Sequence, residues 1–255
     1  MCLIAFAWNS HPKYKLILIA NRDEFYERPS ATASFWKDCP DIYAGRDLVA
    51  TGTWMGISKS GRFGAITNYR DIKNIQKDAR SRGDIIPRYL SESDDPKSFS
   101  QKLNHYSSEY NGFNFLASDF KTMTHYSNYQ GKVNVIDPGI HGLSNAFLDT
   151  PWPKVESLKR GLRKAISSKF DHKQMFDLLS DTQEADEKML PRTGVPLEWE
   201  KALSSVCIRT EKYGTCSSTV ITVTHAGVVD FSEKTHAIGD KKEKTVKSNF
   251  TIKLD

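Results

Sequence analysis

No two cysteines in this 255-residue chain are spaced as Cys-x-x-Cys, and none of Cys2, Cys39, Cys207 and Cys216 has a histidine at metal-ligand spacing. A zinc site is therefore not expected, haem attachment through Cys-x-x-Cys-His is absent, and nothing forces disulfides. The chain also lacks a Gly-x-Gly-x-x-Gly fingerprint, a phosphate-binding P-loop and a Gly-x-Ser-x-Gly elbow. No stretch approaches the ~18 apolar residues of a membrane span. The apolar run at residues 2–8 has no basic flank and is short for a signal segment. Net charge is only +5, from 36 basic and 31 acidic residues mixed along the chain. That balance suits solubility and an anionic ligand, not the dense basic stripe of a nucleic-acid binder. A soluble, reduced, cytoplasmic-type protein is expected, without a metal.

What is present reads as one β-rich domain over residues 1–255, with no internal repeat and no low-complexity segment. Four hairpins are predicted, over 2–8 and 14–21, 53–58 and 62–68, 114–118 and 122–127, and 219–224 and 228–233. Each has β-branched or aromatic residues flanking a short polar or Gly-containing connection. Two helical blocks interrupt them, 85–90 with 96–109 and 152–170 with 172–179. In the second block Val155, Leu158, Leu162 and Ile166 recur at helical spacing, and Lys154, Lys159, Arg160, Arg163 and Lys164 read as a solvated face. Residues 91–96 and 181–196 read as surface loops. The Lys-rich tail 239–255, with Lys241, Lys242, Lys244 and Lys247, reads as solvated surface. Hairpins separated by helix pairs predict antiparallel sheets covered by helices, an α+β layered fold.

The chemistry concentrates at the start of the chain. A small residue at position two usually allows Met1 to be removed, leaving Cys2 with a thiol and an α-amine on one backbone unit. With the first turn centred near residue eleven or twelve, residues whose numbers sum to about 23 face each other. Cys2 is then expected opposite Asn21, with Arg22 and Asp23 emerging from the strand end. The thiol (pKa about 8.5) and the amine (about 8) both titrate near neutrality. Arg22 would favour the thiolate, and Asp23 could hold the ammonium as proton donor to a leaving amine. A cysteine opening an apolar strand can equally be a small buried hydrophobe; position two beside a charged cluster favours the nucleophile. Arg22 and Asp23 read equally as a salt bridge closing the strand. Asn68 and Asn145 could each offer an N–H to an oxyanion, although Asn at turns usually serves its own backbone. Trp54 reads as core before pocket wall. The run Tyr213 to Thr219 enters the last hairpin with several hydroxyls and the Cys216 thiol.

At these residues the chain resembles the NRDE family, the homologues of the Transport and Golgi Organisation 2 protein. The resemblance rests on Met1-Cys2 with its apolar strand, Asn21-Arg22-Asp23-Glu24-Phe25, Arg28-Pro29, Gly52-Thr53-Trp54-Met55-Gly56, Thr67-Asn68-Tyr69-Arg70, Ser81-Arg82-Gly83, Gly142-Leu143-Ser144-Asn145 and Tyr213-Gly214-Thr215. It implies the four-layer αββα sandwich of two antiparallel sheets found in N-terminal nucleophile hydrolases. It implies amide (C–N) hydrolysis with Cys2 as nucleophile, Arg22 and Asp23 in support, and Asn68 and Asn145 at the oxyanion or α-amine. Trp54, Tyr69, Tyr213 and Thr215 are the implied substrate pocket. Hydrolysis of this kind needs no cofactor and takes a small-molecule amide. The family's links to haem trafficking and acyl-lipid handling imply an alternative, a haem- or lipid-binding carrier without turnover, although no histidine is marked as an axial ligand. One departure stands out. Where relatives often carry Arg after Tyr-Gly-Thr, this chain has Cys216, a loss that weakens anion binding or thiolate stabilisation.

Overall fold

The computed structural model describes residues 2–239 and 242–254. Met1, whose removal is expected above, and Lys241 of the tail lie outside the described residues. The strands are β1 (Cys2–Trp8), β2 (Tyr14–Phe25), β3 (Ser30–Phe35), β4 (Ile42–Asp47), β5 (Met55–Ser58), β6 (Arg62–Asn68), β7 (Phe113–Ser118), β8 (Met123–Ser127), β9 (Lys132–Val135), β10 (Gly139–Leu143), β11 (Tyr213–Thr224), β12 (Val228–Thr235) and β13 (Lys244–Thr251). The helices are α1 (Ile85–Ser91), α2 (Pro96–Asn104), α3 (Pro153–Ile166), α4 (His172–Leu179) and α5 (Leu197–Ala202). One antiparallel sheet has the order β10-β1-β2-β11-β12-β13, the other β3-β4-β5-β6-β7-β8-β9.

Alternation along the strands explains the layering, because successive side chains point to opposite faces of a sheet. Ile4, Phe6 and Trp8 of β1 and Leu16, Leu18 and Ala20 of β2 meet Met55, Ile57, Phe63 and Leu116 of the facing sheet. Leu3, Ala5, Ala7, Ile17 and Ile19 point the other way, onto Val155, Leu158 and Leu162 of α3 and Met175 and Leu179 of α4. On the far side Ile85, Ile86, Tyr89 and Leu90 of α1 and Phe99 and Leu103 of α2 cover Phe113, Phe115 and Ala117. Each fully buried large side chain of this kind contributes about 1.5–3 kcal/mol through burial. The result is the αββα sandwich.

Caps set the helix starts. Asp95 accepts from Lys97 N and Ser98 N ahead of Pro96, and Asp171 accepts from Gln174 N. The helix predicted over 96–109 stops at Asn104, and residues 107–109 form a separate 3-10 turn. No described helix is long and apolar enough to cross a membrane.

Three expectations are corrected. The first hairpin pairs Cys2 with Arg22 and Leu3 with Asn21, one residue away from the predicted register. Its loop is centred on Pro12, with Asn9 N donating to Lys15 O and Asn9 taking a left-handed φ of 43°. The Lys-rich tail is not merely solvated surface: residues 244–251 form β13 on the edge of the first sheet, and Ile252 is buried in the inter-sheet core. Lys154, assigned above to a solvated helix face, is only 3% exposed, because the first turn of α3 lies over the end of the sheet.

Candidate active site

The inter-sheet layer is open at the end where β1 begins and β2 ends. Cys2 and Arg22 pair directly there and share the face that carries Ile4 and Ala20 deeper in the layer. They line a cleft of about 630 Å³ together with Asp23, Glu24, Arg28, Asp47, Trp54, Asn68, Arg82 and Cys216. Ser144 Oγ donates to the Cys2 carbonyl oxygen at 3.0 Å and fixes the Cys2 backbone from the β10 side.

Asn21 and Asp23 alternate to the opposite face. The Asn21 amide donates to Leu179 O (2.9 Å) and Val206 O (2.8 Å), and its oxygen accepts from Ser218 Oγ (2.6 Å). That is structural work. Asp23 accepts from Thr215 Oγ1 at 2.7 Å, and the same hydroxyl oxygen accepts from Ile208 N. Burial pushes the Asp23 carboxyl up, against the opposing pull of Lys154, the Thr215 hydrogen bond and Arg22. Lys154 is itself drawn down to about 8 by burial, with Asp23 resisting.

The thiol is also governed by burial, which raises Cys2 to about 11. Asp23 adds to the rise, while the Arg22 guanidinium opposes it without prevailing. Arg22 therefore pulls toward the thiolate, in the direction expected, but burial outweighs it. Arg22 is shared between Glu24 (3.7 Å) and Asp47 (3.8 Å), which dilutes its effect on sulfur.

Asn68 ends β6 and lines the cleft. Asn145 is buried behind it, donating through Nδ2 to the Asn68 carbonyl at 2.9 Å. Of the four expected pocket residues only Trp54 lines the cleft. Tyr69 stacks on Tyr129 at 4.3 Å, Tyr213 packs beneath Phe25 and Trp199, and Thr215 is spent on Asp23.

Cys216 sits at a β-bulge. Thr215 pairs with Asp23 and Ser217 with Arg22, leaving residue 216 unpaired, with Sγ 3.6 Å from Glu24 O. Burial raises this thiol as well. Residue 216 therefore opens on the same cleft as Arg22.

Among the cleft residues that sequence reasoning did not assign, three stand out. Arg82 stands in a 3-10 turn (Arg82–Asp84) and donates to Gly112 O at 3.0 Å. The motif Ser81-Arg82-Gly83 could have flagged it. Glu233 accepts from Ala33 N, tying the two sheets together. His236 is held neutral by burial at about 4, with Nε2 2.8 Å from Ser218 Oγ. Because Ser218 donates to Asn21, His236 is the donor in that pair. No local sequence signal marks either residue.

This chain matches the Transport and Golgi organisation 2 family over residues 1–237. It is 36% identical to the mouse (Mus musculus) Transport and Golgi organization 2 homolog and 35% to the human (Homo sapiens) one, with 92% of each chain covered in both cases. The Drosophila melanogaster protein is 27% identical over the same share. Among solved structures, the C2A mutant of conjugated bile acid hydrolase from Clostridium perfringens aligns with a TM-score of 0.43 and 10% identity, covering 99% of this chain and 97% of that one. The N-acylethanolamine-hydrolyzing acid amidase ortholog of Caenorhabditis elegans aligns with a TM-score of 0.41 and 12% identity, covering 86% and 92%. With the family match over residues 1–237 and 36% identity to a relative over 92% of its length, the chain belongs to the Transport and Golgi organisation 2 family.

Proposed function

We propose that this protein hydrolyses amide bonds with Cys2 as an N-terminal nucleophile. The observation that carries the reading is the placement of Cys2 opposite Arg22 and beside Asp23 at the mouth of a cleft large enough for a small molecule. A thiol held protonated cannot attack unaided, so the reading assigns its proton to the Cys2 α-amine, freed by removal of Met1. As sulfur bonds to the carbonyl carbon, the amine takes the thiol proton. The ammonium then gives that proton to the leaving nitrogen as the C–N bond breaks, leaving a thioester on Cys2. Water attacks the thioester carbon, giving one proton to the amine, which returns it to sulfur as the carboxylic acid departs. The oxyanion role is assigned to Asn68, which lines the cleft and whose backbone Asn145 holds.

The test is intact mass followed by acyl trapping with a chromogenic N-acyl anilide. Loss of Met1, aniline release and an acyl adduct confined to Cys2 are expected. Retained Met1, or equal labelling of Cys39, Cys207 and Cys216, would overturn the reading.

A second reading, a carrier without turnover, draws on the protonated resting thiol. Its donor set suits iron poorly: His236 Nε2 is committed to Ser218, and burial disfavours both cleft thiolates. A carrier here would hold an acyl chain rather than haem. Added haemin would then give no protein-induced Soret shift.

A further inference from the structure

Five arginines line the Cys2 cleft, and four have carboxylate partners. Arg22 lies 3.7 Å from Glu24 and 3.8 Å from Asp47, and Arg28 lies 2.6 Å from Asp47. Arg46 is 2.6 Å from Asp38, and Arg80 is 2.6 Å from Asp84 and 3.3 Å from Glu109. Arg82 differs. Among the described residues no carboxylate comes within salt-bridge distance of it, and its hydrogen bond goes to a neutral acceptor, Gly112 O. A guanidinium carries five N–H donors in a planar fork, so that bond leaves donors over. Arg82 is half-buried, and a guanidinium there without a carboxylate partner gains from an anion that arrives to pair with it.

The mount is rigid. Ser81 Oγ accepts from Gly83 N, and Thr53 N donates to Gly83 O at 3.0 Å. Gly52 lies so close that a Cβ there would stand 2.1 Å from Gly83 O. The loop is thus clamped to the segment that carries Trp54. Burial draws Arg82 down, while Glu24 and Cys2 act on it in the opposite sense, which places the guanidinium in electrostatic reach of the nucleophile.

We propose that Arg82 determines specificity by pairing with an anionic group, a carboxylate, sulfonate or phosphate, on the ligand that occupies the Cys2 cleft. The inference rests on that cleft being the ligand site; it does not require turnover. Bidentate pairing with a planar or tetrahedral oxyanion is the geometry a guanidinium fork favours.

The experiment measures binding to the Cys2→Ala protein by calorimetry, so that hydrolysis plays no part. The probes are N-dodecanoylglycine, N-dodecanoyltaurine, dodecyl phosphate and the neutral N-dodecanoylethanolamine. At least one anionic probe is expected to bind about 10- to 100-fold tighter than the neutral one. Which anion ranks first identifies the headgroup. Adding Arg82→Gln should erase that preference and leave the neutral probe unchanged, while Arg82→Lys keeps part of it and shows that the fold is intact. The proposal fails if no anionic probe outbinds the neutral one, or if Arg82→Gln weakens all probes equally. Anion preference without turnover by the unmutated protein would sink only the hydrolase reading. Turnover without anion preference would sink only this one.

Discussion

At the level of single residues, Arg22 and Asn21 divide the work of one motif by strand alternation. Arg22 faces Cys2 and the cleft, whereas Asn21 is turned back to fasten Leu179 and Val206. Asn21→Ala should therefore cost stability, about 1–3 kcal/mol from the carbonyls and hydroxyl left unpaired, read from a shift in urea midpoint. Arg22→Gln should act on chemistry instead. Removing the cation raises the Cys2 pKa further, so iodoacetamide labelling of Cys2 at pH 8 should slow while the melting point barely moves. Unchanged labelling would mean that Arg22 does not reach the sulfur electrostatically. Both residue types were legible in the sequence, but their faces were not. A one-residue change in loop centring, set by the left-handed Asn9, exchanges every side chain between faces. The protonated resting thiol was also beyond reach, because it depends on burial, which position two alone does not report.

Secondary-structure elements are held in place by polar ties that composition conceals. Asp149 bonds His141 Nδ1 at 2.7 Å and Lys159 Nζ at 2.8 Å, joining β10, which flanks the strand of Cys2, to α3. Burial opposes ionisation of Asp149, but His141, Lys159 and the Gly142 N–H together hold it down to about 2. Burial likewise opposes the charged form of His141, yet its bonds to Asp149 and Asp137 O raise its pKa above the ordinary value. The signs follow from linkage. The Asp149 contribution is present above its unfolded value of about 3.9 and is lost as pH falls towards 2. The His141 contribution is complete below about 6.5 and is lost as pH rises through its folded value. Urea midpoints should decline on both sides of that window, and Asp149→Asn should flatten both limbs. A profile identical to the unmutated one would exclude this tie as a source of stability. The edge strand β13 makes a second case. Lysines obscure its alternation, yet Val246 and Phe250 pack on the inter-sheet core and Ile252 is buried in it. Ile252→Ala should cost about 2–5 kcal/mol in chemical denaturation. The strands from Ser30 to Asp47 escaped prediction for a different reason: their short, mixed patterns gain meaning only once neighbours pair with them.

Across the whole molecule, the alternation of hairpins with helix pairs made antiparallel sheets covered by helices readable, whereas the four-layer order followed only from the family resemblance. The cleft was readable where it touches the N-terminal hairpin and, beyond it, at Trp54 and Asn68. Its remaining lining comes from β4, the segment before β5, the turn at Arg82, the bulge at Cys216 and the end of β12. No local period brings these together; pairing of distant strands does. Gly52 offers a test at this scale. Gly52→Ala forces a Cβ against Gly83 O, so the Arg82 turn must shift. A lower melting temperature is expected together with a weaker preference for anionic over neutral probes. A weaker fold with that preference intact would detach the turn from ligand selection.

Cys2, Arg22, Asp23 and Cys216 belong to one sheet, whereas Asp47, Trp54 and Arg82 come from the other sheet and its connections. Reactivity and ligand choice can therefore drift independently among homologues. Grafting residues 46–54 and 79–83 from a relative should transplant its appetite for headgroups while leaving the host's Cys2–Arg22 pair untouched.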